Sequence, residues 1–277
     1  EAERIGYERR VPVERKFEAW IAPVGPQAQP GQASLLVLMR DLTREQQIER
    51  MRADFVAQVS HELRTPLAAV LGFIDTLEGP AKADETARTR FLTLMRSQAE
   101  RMRRLVDDLL SLSRIEMNVH QRPEGAVDLA HLARSVRDNL ADLARRSDVV
   151  VDVAISTPVM ATGDWDELTQ VVQNLLENAL KYAASGKRVE ITGQNLGADV
   201  ELSLRDFGPG IAAEHLPRLT ERFYRVSAQE SRARGGTGLG LAIVKHIMNR
   251  HRGRLLIASE IGKGSVFTLQ LPRANGK

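Results

Sequence analysis

From Thr43 onward the apolar residues recur at steps of three and four. Ile48, Met51, Phe55, Val59, Leu63, Leu67, Val70, Ile74 and Leu77 lie along one narrow helical stripe, which ends at Gly79–Pro80 in "EGPAKAD". A second stripe follows at Phe91, Leu94, Met102, Leu105, Leu109, Leu112 and Ile115. The spacing predicts two helices of about 30 residues joined by a short turn, an antiparallel hairpin over 44–120. A lone hairpin leaves much of both stripes in water. At about 1.5–3 kcal/mol per fully buried large aliphatic side chain, pairing two hairpins into a four-helix bundle is favoured. A homodimer through this segment is therefore expected.

The flanks have other periods. Residues 1–43 read as β, with the strand-like runs "RRVPVERKFEAWIAPV" and "ASLLVLMRDLT" on either side of the loop "GPQAQPGQ". Two or three strands cannot cover both their faces, so a partial sheet domain is expected there. Beyond "HQRPEGAV" the pattern is mixed. A helix is predicted over 128–146 behind the cap Asp128, a strand at 149–155, and a helix over 165–183 behind the cap Asp164. Strands follow at 187–193 and 199–205, then a helix over 238–251 and a hairpin of "RLLIAS" and "SVFTLQL". Helices on one face of a sheet, an α+β two-layer sandwich over 121–277, is the predicted architecture.

Composition narrows the chemistry. Lys and Arg number 39 against 36 Asp and Glu, with no basic run interleaved with aromatics, which argues against a nucleic-acid binder. There is no cysteine, so disulfides, thiolate metal sites and cysteine nucleophiles are excluded, and a reducing compartment fits. No apolar run approaches the roughly 20 residues that cross a bilayer. The chain begins at Glu1 without a signal-peptide pattern, so it is expected to be a cytoplasmic piece whose membrane anchor lies elsewhere.

Against this background "VSHELRTPL" is unusual. His61 lies about 200° around the helix from both Val59 and Leu63, so if those face the bundle His61 faces water. Glu62 is its neighbour, Thr65 lies one turn on, and Pro66 leaves the Glu62 carbonyl without its helical donor and favours a bend. An exposed imidazole with a local carboxylate, on a weakened helix, is a nucleophile that a partner can reach. A lone surface histidine would be unremarkable, but residues suited to a nucleotide follow this one.

In "QNLLENALKYA" the residues Asn174, Asn178 and Lys181 fall within about 60° on a helical wheel, flanked by Glu177 and Tyr182, with Leu168, Val171, Leu175 and Ala179 opposite. Carboxamide oxygens suit Mg²⁺, and the ammonium suits phosphate. In "VELSLRDFGPGI" Asp206 ends the apolar row Val200, Leu202, Leu204, where a carboxylate is costly unless it meets a donor such as the adenine amino group. Gly208 and Gly210 permit close backbone approach, although a bare D-x-G-x-G could be a turn alone. "RGGTGLGLAIVKHI" places Gly235, Gly236, Gly238 and Gly240 where a helix begins, a phosphate cradle. It matches neither the dinucleotide fingerprint nor the P-loop. Between the glycine boxes, "ERFYRVSAQESRARGG" reads as a mobile lid with Arg222 or Arg225 able to reach an outer phosphate.

In order and spacing these motifs resemble those of the sensor histidine kinases of two-component systems. "SHELRTPL" looks like the phospho-acceptor box, and "NLLENALKYA", "DFGPGI", "ERFYR" and "GGTGLGLA" look like the ATP-binding boxes. The resemblance covers about 44–272. It implies a dimerisation and histidine-phosphotransfer hairpin followed by a Bergerat-type ATP-binding domain. By it His61 is the phospho-acceptor, Glu62 its base, and Thr65 the side chain that orients water for dephosphorylation of the partner. Asn178 is the Mg²⁺ ligand with Asn174 nearby, Lys181 and Tyr182 contact the nucleotide, and Asp206 reads adenine. Gly208, Gly210, Gly236, Thr237, Gly238, Leu239 and Gly240 shape the lid and cradle, with Arg225 near the γ-phosphate. ATP and Mg²⁺ are thus the implied cofactors, and a response-regulator receiver domain the implied partner.

Within the family, the stretch 72–117 looks most like phosphate-regulon sensor kinases, and "VLMRDLT" resembles the exit of a PAS sensor domain, about half of which would be present. A phosphatase acting mainly on the regulator and a non-catalytic dimeric scaffold are the alternatives. A gyrase- or chaperone-like ATPase is disfavoured, because Asn174 stands where those enzymes carry a catalytic glutamate.

Overall fold

The computed structural model describes residues 3–9, 15–24, 34–82, 84–118, 121–227 and 236–274. It divides into two compact units, Glu1–Thr65 and Pro66–Lys277. Among the described residues no helix is long and apolar enough to cross a membrane.

The first unit contains three antiparallel strands, β1 (Glu3–Arg9), β2 (Arg15–Val24) and β3 (Ser34–Asp41), in spatial order β1-β2-β3. Leu36 to Met39 are all more than half exposed, so β3 is wet on both faces and the sheet encloses no core there. Helix α1 (Thr43–Glu78) leaves this sheet directly. Its entry is fixed by Thr43 N–H donating to Asp41 Oδ1 (2.9 Å) and by Lys16 N–H donating to Thr43 Oγ1 (3.0 Å). The two units divide inside α1, between Thr65 and Pro66, where proline removes one backbone donor from the helical ladder.

The second unit takes in the rest of α1 and helix α2 (Glu85–Met117). Asp84 caps α2, accepting from the N–H groups of Thr86 and Ala87 at 2.9 Å each, and stacked rings of Phe73 and Phe91 (5.4 Å) tie the helices together. Leu105, Leu112 and Ile115 are buried, whereas Leu67, Leu71, Leu92, Val106 and Leu110 remain exposed.

The α/β layer follows. It comprises β4 (Ala126–Asp128), α3 (Leu129–Asn139), α4 (Ala141–Arg146), β5 (Val150–Ala154), β6 (Met160–Thr162) and α5 (Trp165–Tyr182). Then come β7 (Arg188–Leu196), β8 (Asp199–Asp206), α6 (Gly240–Arg250), β9 (Arg254–Glu260) and β10 (Gly264–Pro272). Five strands form one sheet, ordered β5-β7-β8-β10-β9, with β5 parallel to β7 and the other neighbours antiparallel. Burial alternates along it: Val200, Leu202 and Leu204 of β8 and Phe267, Leu269 and Leu271 of β10 face inward. Against them lie Leu132, Leu168, Leu175, Leu176, Ile243 and Ile247 from α3, α5 and α6, each at most 1% exposed. This is the expected two-layer sandwich.

Three details differ from the sequence expectation. The helix over 128–146 is two helices, broken at Leu140 (φ −100°, ψ 9°), although Asp128 does cap the first by accepting from Ala130 N–H. Leu140, Leu143 and Ala144 keep helical spacing across the break, so periodicity does not register it. The short pair β4 and β6 was not anticipated, because three residues are too few to display alternation. A 3₁₀ turn at Ala213–Arg218 also lies between β8 and the stretch read as lid, where no element was predicted.

Candidate nucleotide site

A cavity of about 1170 Å³ opens between α2, α5, the end of β8 and the loop that begins α6. Each wall follows from local structure. Helix α5 is capped by Asp164, whose carboxylate accepts from Glu167 N–H (2.9 Å). Its apolar face, Leu168, Val171, Leu175 and Ala179, is buried, which turns Asn174, Asn178, Lys181 and Tyr182 toward the cavity. The Asn174 amide lies 3.4 Å from the Gly240 carbonyl oxygen. Lys181 Nζ holds Glu177 Oε2 at 2.6 Å, and Gln173 donates to the other oxygen at 3.0 Å. Burial would raise the Glu177 pKa, but the Lys181 and Gln173 hydrogen bonds and the Lys181 charge hold it below the usual range.

Asp206 ends β8 and is only 5% exposed. Its Oδ1 accepts from the backbone N–H groups of Gly208 (3.0 Å) and Ser265 (3.2 Å), which orients the carboxylate in the cavity wall. Burial still pushes its pKa up, against those hydrogen bonds. Gly210 has φ +73°, and a Cβ there would sit 2.1 Å from the Glu260 carbonyl oxygen, so the turn after Asp206 requires glycine.

The far wall is the loop 236–240. Gly238 has φ +78° with the Phe223 backbone 2.9 Å from where a Cβ would be, and Phe223 N–H donates to the Gly238 carbonyl (2.8 Å). Among the described residues the N-cap Leu239 gives α6 no side-chain cap, and Thr237 Oγ1 accepts from Leu239 N–H alone (3.3 Å), so the first-turn N–H groups form an anion-favouring end behind Gly236 and Gly240. Arg225 donates to the Thr237 carbonyl at 2.7 Å and lines the same cavity.

The cavity thus gathers Asn174, Asn178, Lys181, Tyr182, Asp206, Gly210, Arg225, Gly236, Thr237, Gly238 and Gly240. Gly208 and Leu239 support it from behind: Gly208 anchors Asp206, and Leu239 is fully buried. Gly235 and the lid residues 228–235 lie outside the described residues. His61, Glu62 and Thr65 belong to the other unit. There His61 and Thr65 are exposed, Glu62 is buried at 7% exposure, and the Thr65 hydroxyl donates to the His61 carbonyl at 3.2 Å.

Comparison with known proteins agrees with this layout. Residues 51–118 match the family "His Kinase A (phospho-acceptor) domain", and residues 163–275 match "Histidine kinase-, DNA gyrase B-, and HSP90-like ATPase". The phosphate regulon sensor protein PhoR of Pseudomonas aeruginosa is 41% identical over 86% of this chain and 54% of its own length.

The chain belongs to the sensor histidine kinases.

The sensor protein kinase WalK of Staphylococcus aureus is also similar, at 38% identity over 86% of this chain and 57% of its own. This kinase chain therefore spans little more than half the length of the curated relatives it matches. Among solved structures, the Acinetobacter baumannii histidine kinase AdeS aligns with a TM-score of 0.61 at 28% identity, over 78% of this chain and 98% of that one. Full-length ShkA in complex with AMPPNP aligns at 0.59 and 29% identity, over 80% of this chain and 46% of that one. The histidine kinase ThkA, at 20% identity and a TM-score of 0.63 over 98% of this chain and 78% of that one, shares the fold.

Sequence reasoning missed the contribution of α2 to the kinase's cavity. Arg104, Asp107 and Asp108 line it, and Asp108 Oδ2 accepts from the Thr237 hydroxyl at 2.6 Å. A signal existed: Asp108 lies three residues after Leu105 and four before Leu112, a carboxylate on the apolar stripe itself. Burial raises its pKa, the Thr237 hydrogen bond opposes this, and the Glu177 charge adds to the rise.

Proposed function

We propose that this chain is a sensor kinase core that binds Mg-ATP in the cavity, phosphorylates His61, and passes the phosphoryl group to an aspartate of a response-regulator receiver domain. The observation that carries the reading is the convergence of Asn178, Asp206 and the uncapped α6 N-terminus on one cavity, in a chain that also presents His61 in an exposed helical position. Asp206 receives the adenine amino group, Lys181 and Arg225 face the phosphates, and Gly236, Gly238 and Gly240 bring backbone N–H groups close to them. An imidazole nitrogen of His61 attacks the γ-phosphorus, the bond to the bridging oxygen breaks, and ADP leaves while the ring proton passes to a base. Glu62 takes that role only if its carboxylate leaves its buried position, so Glu62→Gln should alter the pH profile of the reaction.

The residues fit Mg²⁺ delivered with a triphosphate. Among the described residues no cluster of three His, Cys, Asp or Glu side chains could hold a metal. Asn178 supplies a neutral oxygen in the cavity, leaving the phosphates as the main ligands. The ion would neutralise phosphate charge there.

The exposed apolar residues of the hairpin, among them Leu67, Leu71, Val106 and Leu110, support a homodimer as the working form. The likeness to PhoR over 86% of the chain supports phosphate starvation as the signal. The strands β1 to β3 are read as the end of a PAS-like domain, in a protein anchored to the inner membrane elsewhere. The decisive experiment is incubation with γ-labelled ATP and Mg²⁺, comparing this chain with His61→Gln. Acid-labile, base-stable label that the variant lacks is the expected result; label that survives in His61→Gln refutes the assignment.

A second activity is favoured by one contact. Thr65 is exposed one turn from His61, with its hydroxyl on the His61 carbonyl. Thr65→Ala is expected to retain autophosphorylation and lose dephosphorylation of the regulator; equal loss of both would refute a separate role.

A further inference from the structure

The cavity has one wall that a triphosphate should not welcome. Helix α2 brings Asp107 and Asp108 into its lining, beside Glu177, with one cation, Arg104, on the same helix against them. Asp108 Oδ2 takes the Thr237 hydroxyl at 2.6 Å, in the loop whose backbone N–H groups start α6. A carboxylate thus holds the hydroxyl of the loop that leads into the helix start, a hydroxyl that also accepts from Leu239 N–H (3.3 Å), and puts negative charge beside the end of α6 that favours an anion. The contact is one of several that hold α2 to the α/β layer. Ser111 donates to Gln170 (2.9 Å), Glu116 pairs with Arg222, and Arg250 donates to the Asn118 carbonyl (3.1 Å) just past the helix end. Asp108 is therefore presented by a braced helix rather than by a wandering side chain.

We propose that Asp108 is an internal competitor of the nucleotide phosphates: α2, docked through Asp108 on Thr237, holds the phosphate end of the cavity in a low-affinity state. This rests on the ATP reading above. Phosphate entry brings like charge against Asp107 and Asp108 and demands the Thr237 hydroxyl, so binding and release of this part of α2 are linked. By reciprocity, whatever loosens α2 tightens ATP, and ATP loosens α2. Adenosine, which lacks phosphates, is indifferent to Asp108.

The test uses the full chain with Mg²⁺ and measures ATP and adenosine affinity by calorimetry. Asp108→Asn preserves the shape and an acceptor for Thr237 while removing the charge. The expected result is a fall in the ATP Kd on the order of tenfold, the effect of one charge at intermediate dielectric, with adenosine unchanged. Unchanged or weaker ATP binding overturns the proposal, as does a parallel shift of both ligands. Should Asp108→Asn fail to fold, Ser111→Ala, which removes the uncharged brace to Gln170, carries the same test by loosening α2. A wild-type chain that binds neither ligand overturns the ATP reading itself.

Discussion

Replacing Asp206 by asparagine separates recognition from folding more sharply than any other change at this site. The wild-type carboxylate is 5% exposed and is held by two backbone donors, Gly208 N–H and Ser265 N–H. An asparagine retains an oxygen for those donors only by turning its NH₂ group the other way. It would then meet the adenine amino group donor to donor. A hydrogen bond to a charged group contributes about 1.5–3 kcal/mol, so ATP affinity should fall about 10- to 150-fold.

Stability should move differently. Burial raises the Asp206 pKa above its unfolded value, so the folded state binds the proton more tightly than the unfolded one. Stability from this group is then present at low pH and is lost as pH rises through the raised folded pKa. Asparagine removes that ionisation, and Asp206→Asn should keep or raise the Tm at pH 7. Calorimetric titration with ATP and thermal melts at pH 7 are the assays. Undiminished ATP binding, or lost binding accompanied by a drop of several degrees in Tm, would refute the reasoning.

Leu175→Ala, at a fully buried position of α5, should cost about 2–5 kcal/mol in chemical denaturation, with ATP binding falling only through the loss of folded protein. Gly238→Ala forces a side chain into φ +78° against the Phe223 backbone; strain of about 1–3 kcal/mol should appear as weaker ATP binding with adenosine binding spared. Glu177→Gln breaks the pair with Lys181, whose effect is to depress the Glu177 pKa. The destabilisation should therefore be present at pH 7, above the unfolded pKa, and vanish as pH falls through the lowered folded value; melts across that range would show it.

Much of this architecture was legible one residue at a time. Hydrophobic spacing marks the two hairpin helices, because an amphipathic helix must bury one stripe whatever its partner. Asp128 and Asp164 announce helix starts, because a cap satisfies donors within three residues in sequence. Asp206 declares itself as a carboxylate at the end of an apolar row, and Gly210 and Gly238 occupy turns that only their backbone freedom allows. These are local rules, and one sequence carries them in full. What tertiary structure decided is where distant segments meet. The break at Leu140 lies within an unbroken spacing. The pairing of β4 with β6 joins segments more than 30 residues apart, each too short to show a period. The burial of Glu62 beside an exposed His61 is likewise not announced by the spacing along α1. Above all, the meeting of Asp108 with Thr237, 129 residues apart, turns a hairpin helix into a wall of the nucleotide cavity. No local periodicity encodes that contact, because it arises from packing one helix against the end of another.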